Sequence, residues 1–281
     1  MTFSATSLNS DALSFVLVET THSGNIGAAA RAMKTMGFSK LRLVRPCKYL
    51  TAEALARASG ADDIVRNAAV YDSLDEAVSD CIAVYGTSAR SRSMEWSVTD
   101  VPEMARALMK EPVASAIVFG RERSGLTNEE LARCNGRLWI PSNPDFSSLN
   151  LASAVQVVAY ELRRASGFSY TPEDLQEQGR SHSSPVDNER TTRPDHPETP
   201  VAGEVEEPMA DHAALQNFFQ HLEDVMVRTG FLDPDNPRLL MQRMRRLFGR
   251  NKMLRSEVQV LRGFLTSVEK SSIDKDRGQS L

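Results

Sequence analysis

The chain has 281 residues, room for one large domain or one domain with an appendage, and its 33 Lys and Arg against 37 Asp and Glu leave a net charge of −4, so no overall basic field points to nucleic acid. At 41% hydrophobic and 25% charged residues it can build a globular core, which excludes wholesale disorder, a collagen-like chain and a disulfide scaffold. No apolar run reaches ~18 residues and residues 1–11 carry neither a basic nor an apolar leader segment, so the expectation is a cytoplasmic protein without membrane span or secretion signal.

In chain order, Leu13–Val18 is an apolar run of strand length, followed by a glycine-punctuated turn and a helical Ala/Met stretch over 27–36. Leu41–Val44 is a second strand, ended by Pro46. Short apolar runs at 81–85 and 114–119 stop at Gly86 and Gly120, with helical patterns at 74–79 and 101–109 between and before them. A last short strand covers 138–140, and 149–162 predicts a helix apolar on nearly every face, hence buried on more than one side. This alternation predicts an α/β fold, a mostly parallel sheet with helices on both faces, whose ligands bind at the carboxyl ends of the strands. Cys47, Cys81 and Cys134 are widely spaced and odd in number, which fits reduced thiols better than disulfides or a zinc cluster.

Charge divides the chain further. Residues 1–165 carry 18 basic and 18 acidic side chains, 166–211 carry 3 and 11, and 212–281 carry 12 and 8. The middle segment also holds six of the 13 prolines, which predicts an acidic Pro-rich linker between a neutral sheet domain and a helical basic C-terminal module.

Familiar nucleotide motifs fail when written out. No G-x-G-x-x-G follows a strand, and the glycine-spaced Gly120-Arg121-Glu122-Arg123-Ser124-Gly125 is followed by Leu126-Thr127 where a phosphate loop needs Lys-Ser/Thr. H-E-x-x-H, C-x-x-C and G-x-S-x-G are likewise missing, so neither a metal nor a serine-hydrolase signature is present.

The strand ends instead carry small, polar, glycine-rich stretches: Glu19-Thr20-Thr21-His22-Ser23-Gly24-Asn25-Ile26-Gly27 leading to Arg31, then Gly86-Thr87-Ser88-Ala89-Arg90, then 120–126, then Pro141-Ser142-Asn143-Pro144 to Ser147-Ser148-Leu149-Asn150. In this order and spacing they resemble the SPOUT class of S-adenosylmethionine-dependent RNA methyltransferases, and within it the bacterial J-type tRNA ribose 2′-O-methyltransferases. The resemblance is strong over about 12–165 and weaker in the tail. It implies a deep trefoil knot, an exception to unknotted connections. It also implies a homodimer paired through the helix from Leu149 onward, with active sites drawing on both subunits. S-adenosyl-L-methionine would be held by Thr87, Ser88, Ala89, Gly120, Ile140, Ser147, Ser148 and Leu149, with no metal. The substrate would be a tRNA cytidine or uridine at nucleotide 32, a sibling activity on another tRNA or rRNA position and a noncatalytic RNA-binding module being the alternatives.

The resemblance makes Arg31 the catalytic residue. A guanidinium stays protonated, which favours a role in fixing the target phosphate and stabilising the forming alkoxide over one as base, although the family is often described with the arginine as base. Asn25 would orient the nucleotide or the arginine, Glu122 would anchor a backbone or substrate group, and Ser148 and Asn150 would line the donor and ribose side. Taken alone, Asn25 could make a turn or cap, and Ser147 and Ser148 could be helix N-caps.

RNA contacts are expected from Arg121 and Arg123 beside Glu122 and from the tail. Seven basic residues lie between Pro237 and Arg255 with no acidic one, among them Arg243, Arg245, Arg246 and Arg250, interleaved with apolar residues and broken near Gly249. With a helix over about 215–227 this predicts a helical hairpin with a basic, phosphate-tracking face.

Overall fold

The computed structural model describes residues 12–89, 98–166, 207–249 and 252–278, with side chains of the last helix described to residue 271. The predicted linker falls almost wholly on residues outside these. Seven strands, β1 (Leu13–Val18), β2 (Leu41–Val44), β3 (Ala69–Tyr71), β4 (Ala83–Thr87), β5 (Val98–Asp100), β6 (Ser115–Phe119) and β7 (Gly136–Trp139), form one sheet in the order β3-β2-β1-β6-β4-β7-β5. Every pairing is parallel. All six residues of β1 are buried, as expected of a parallel strand covered on both faces.

Strand alternation sorts the core into two layers. Phe15 and Leu17 of β1 and Ile117 and Phe119 of β6 face one side, where α1 (Ser23–Thr35), α5 (Val101–Lys110) and α7 (Leu151–Ala165) cover them. Val16, Val18, Ala116 and Val118 face the other, under α4 (Leu74–Ala77) and α6 (Asn128–Ala132). Two further helices, α2 (Ala52–Ala58) and α3 (Asp62–Arg66), support α1. Gly27 is what lets α1 lie against α2, since a Cβ there would stand 1.9 Å from the Ala54 carbonyl oxygen.

The tail packs its own cluster. In α8 (His212–Arg228) Phe218 and Phe219 meet Phe248 of α9 (Leu240–Gly249), while Val258 and Leu265 of α10 (Arg255–Gly278) close the other side. The tail is thus three helices rather than the predicted hairpin, because residues 255–278 form a long helix of their own. It is stitched to the segments that lead into β4 and β6: the His212 N–H donates to the Cys81 carbonyl (2.8 Å) and the Ala213 N–H to the Ser79 carbonyl (3.1 Å), and Lys252 pairs with Glu111 (2.7 Å). Buried His212 also bonds Asp75 through Nε2 at 3.2 Å, and that bond holds the Asp75 carboxyl below its ordinary value. Among the described residues no helix is long and apolar enough to cross a membrane.

Candidate active site

Because β1 and β6 are neighbours and parallel, the loops leaving their carboxyl ends meet. Glu122 is the meeting point. Its Oε2 accepts from the Thr21 N–H (3.2 Å) and hydroxyl (3.0 Å), and its Oε1 from the His22 N–H (3.2 Å) and Asn25 Nδ2 (3.0 Å). Asn25 Oδ1 accepts from Asn150 Nδ2 (3.1 Å), and Asn150 Oδ1 accepts from the Ala152 N–H (2.9 Å), which caps α7. One carboxylate therefore ties the start of α1 to the start of α7 through two amides. Burial pushes the Glu122 carboxyl up, but the bonds donated by Asn25, Thr21 and the backbone outweigh it and leave the pKa below its ordinary value.

This geometry revises two expectations. α1 begins at Ser23, four residues before the Ala/Met stretch, so Asn25 sits in its first turn and caps nothing: the N-cap position is His22, without a side-chain cap bond. Asn150, not Ser147 or Ser148, caps α7.

Arg121 departs from its expected contact with RNA. Its Nε donates to Glu19 Oε2 (2.6 Å) and its two terminal nitrogens donate to the two Glu130 oxygens (3.0 Å each), while its side chain is only 19% exposed. The guanidinium is consumed within the fold, and these carboxylates raise its pKa above the ordinary value. Glu130 at the same time closes a capping box with Thr127 at the start of α6. The loop between β6 and α6 is thereby clamped at both ends and doubles back, with Arg121 and Gly125 forming an antiparallel bridge. Gly120 is required by that close return: a Cβ there would lie 2.2 Å from the Leu126 nitrogen.

The clamped loop forms one wall of a cavity of about 280 Å³ at the carboxyl ends of β4, β6 and β7. All eight residues expected to hold the donor line it, with Leu126 and Leu138 as apolar walls and Glu122 and Arg123 as polar ones. The 87–89 turn is fixed across three strands, the Thr87 hydroxyl donating to the Val118 carbonyl (3.0 Å) and the Ser88 N–H to the Leu138 carbonyl (3.0 Å). The Ser142 hydroxyl donates to the Ser147 carbonyl (3.1 Å) and shapes the opposite wall.

Arg31 lies exposed on α1, outside the residues that line this cavity, and no described residue pairs with its guanidinium. Arg123 is exposed at the cavity and Arg243 and Arg246 are exposed on α9, while Arg250 lies outside the described residues. Among the described residues no cluster of three His, Cys, Asp or Glu could hold a metal. Sequence reasoning missed Glu19 and Glu130. For Glu130 the signal was present, since Thr127-Asn128-Glu129-Glu130 is a capping-box spelling; nothing local marks Glu19, whose partner is 102 positions away.

Comparison with known proteins places the chain in a family. The family model of the SpoU rRNA Methylase family matches residues 12–160, and that of the tRNA methyltransferase TrmJ C-terminal domain matches residues 213–278. A tRNA (cytidine/uridine-2′-O-)-methyltransferase TrmJ from Pectobacterium atrosepticum is 43% identical over 93% of this chain and 98% of its own. A tRNA (cytidine/uridine/adenosine-2′-O-)-methyltransferase TrmJ from Pseudomonas aeruginosa is 45% identical over 92% and 95%. Among solved structures, TrmJ from Z. mobilis ZM4 superposes with a TM-score of 0.72 at 30% identity, covering 91% of this chain and 98% of that one. A probable methylase family protein from Haemophilus influenzae reaches 0.53 at 42% identity, covering 94% and 98%. With the strand-end cavity lying within the residues that one family model matches, and a tail matched by its own family model, the chain belongs to the SpoU methylase family, in the branch that carries the TrmJ C-terminal domain.

Proposed function

We propose that the protein methylates a ribose 2′-hydroxyl of tRNA using S-adenosylmethionine, at a cytidine or uridine of position 32. The observation that supports this reading is the convergence of three separate strand-end segments, those after β4, β6 and β7, on one cavity whose walls combine backbone amides with Leu126, Leu138, Ile140 and Leu149. Such walls suit a ligand with a flat heterocycle and a charged tail, and Gly120 lets the loop that forms one of them double back closely. Bound there, S-adenosylmethionine supplies an electrophilic methyl on a sulfonium centre.

The remaining work falls to the chain. A ribose hydroxyl is a poor nucleophile until it is aligned and the charge growing on its oxygen is stabilised. Arg31 is assigned to both tasks, gripping the adjoining phosphate with its fork and stabilising the charge growing on the oxygen while the hydroxyl proton passes to solvent. Asn25, fixed by Glu122 and Asn150, orients the nucleotide, and Ser148 faces the ribose side of the cavity.

Arg31 stands away from the cavity of its own chain, which favours a homodimer in which one protomer lends the arginine to its partner's donor pocket. The apolar side chains left open on the segment that leads from the cavity through α7 agree with this: Phe146 is 80% and Tyr160 on α7 is 50% exposed. A cytoplasmic location and a knotted crossing between β7 and α7 belong to the same proposal.

The test is transfer of labelled methyl to bulk tRNA. Arg31→Ala is expected to abolish turnover with donor affinity unchanged. Mixing it with Gly120→Ala chains, inactive by themselves, should restore activity, because one site of each mixed dimer then has both parts. Near-normal turnover by Arg31→Ala, or no recovery on mixing, refutes the assignment. Mapping of 2′-O-methylated nucleotides in tRNA from a deletion strain decides the position and the bases accepted.

A further inference from the structure

His22 precedes α1 and lies exposed beside Glu122. Its backbone N–H donates to Glu122 Oε1 (3.2 Å), and its ring Nδ1 lies 3.2 Å from the Thr21 hydroxyl oxygen. That hydroxyl has one proton, and Glu122 Oε2 takes it at 3.0 Å, because a carboxylate whose pKa is held down can only accept. The Thr21 oxygen must therefore accept from His22, so Nδ1 carries the N–H of the ring. In a neutral imidazole this leaves a lone pair on Nε2. Among the described residues none bonds Nε2, and the side chain is open to solvent.

Carboxylate, hydroxyl and imidazole thus form a relay that orients a base, as a base is oriented wherever a third group fixes its tautomer. The other groups nearby do not fill that role. Glu122 spends both oxygens on four donors. Glu53 and Arg57 of α2, beside Gly24, pair with each other at 3.4 Å. The Cys47 thiol is pushed up by burial and by Glu122, which keeps it protonated near neutral pH. Arg31 and Arg123 are permanent cations with no lone pair to offer.

We propose that His22 Nε2 receives the proton of the ribose 2′-hydroxyl during methyl transfer. The inference rests on the proposed function for its substrate. The oxygen–methyl bond forms as the carbon–sulfur bond breaks, and the electron pair of that bond stays on sulfur. The electrons of the O–H bond stay on the ribose oxygen while its proton moves to Nε2. The imidazolium so formed passes the proton to solvent, to which the ring is open. Arg31 keeps the phosphate and the growing charge, and His22 supplies the acceptor that a guanidinium cannot be.

The experiment uses the full chain and begins without substrate. In nitrogen-15 NMR spectra the ring of His22, assigned by its loss in His22→Asn, should show the Nδ1–H tautomer when neutral. Thr21→Val removes the accepting oxygen and should shift the ring toward the Nε2–H form. His22→Asn itself keeps an N–H for Thr21 and a favoured N-cap residue but cannot take a proton. In single-turnover methyl transfer to tRNA it is expected to be about 100-fold slower or more. It should also lose the fall in rate that the wild type shows as pH drops, since only the neutral ring accepts. Affinities for S-adenosylmethionine and tRNA should not change, nor should the Tm; a merely structural histidine would move these instead. Wild-type rate and pH profile in His22→Asn, or an Nε2–H ring in the wild type, overturn the assignment. Wild-type chain that methylates no tRNA overturns the proposed function and this role with it, whereas the tautomer measured without substrate tests the relay by itself.

Discussion

Replacing Glu122 by Gln tests whether one carboxylate organises the site. Four donors converge on its two oxygens. An amide keeps one acceptor oxygen and places N–H groups where the other stood. If the nitrogen turns toward Thr21 it meets a backbone N–H, and if it turns toward His22 and Asn25 it meets another. Either way one backbone donor loses its partner, and the surviving bonds fall from the charged class, about 1.5–3 kcal/mol each, to the neutral one, about 0.5–1.5 kcal/mol. Water reaches this half-open site and replaces part of what is lost, so the expected destabilisation is about 2 kcal/mol, or about 4–8 °C in Tm. The carboxyl is held below its reference value of 4.5, so its contribution is present above that value and is lost as pH falls through the folded-state pKa. Melting curves of both proteins should therefore differ at pH 7 and converge in acid. Turnover should fall more than donor affinity, because Asn25 and Asn150 lose their alignment while the cavity keeps its other walls. Equal stability at pH 7, or a gap that stays constant into acid, would refute the reasoning.

Gly120→Ala forces a Cβ to within 2.2 Å of the returning backbone, so the loop must shift and donor binding measured by calorimetry should disappear while the far-UV spectrum is kept. Gly27→Ala must push α2 off α1 against a 1.9 Å contact, an overpacking cost of about 1–3 kcal/mol that urea denaturation will report. Burial pushes the Cys81 and Cys134 thiols up to about 12, so an alkylating agent at pH 8 should leave both unmodified in the native protein, by mass spectrometry, and react with both after denaturation.

The parallel sheet was legible because its inner strands β1, β4 and β6 are largely apolar on both faces and the runs of β4 and β6 stop at Gly86 and Gly120. The edge strands β3 and β5 were not: three residues each, half exposed, they lack the apolar run that marks a buried strand and exist because a neighbour offers a ladder. Short α2, α3 and α6 escaped for a similar reason, since one or two turns give no readable period. The residues expected to hold the donor were named from motif order, and the eight of them line one cavity. What pattern could not supply was the division of labour between adjacent arginines. Arg121 and Arg123 read alike in sequence, yet the first is bound by carboxylates contributed from 102 residues before it and nine after it. The identical logic hid Arg245 within a run of basic residues, where only the packing of α8 against α9 sets it apart from its exposed neighbours.

The position of β1 in the middle of the sheet also bears on how the protein is made. One edge of this wholly buried strand pairs with β2, which leaves the ribosome soon afterwards, but the other must wait for β6, nearly 100 residues later in the chain. At about 5–20 residues per second the growing polypeptide carries that open edge for roughly 5–20 s. During this interval it is a template for any extended strand nearby. Slowing translation between β2 and β6 should therefore lower the soluble yield even though the finished fold is unchanged.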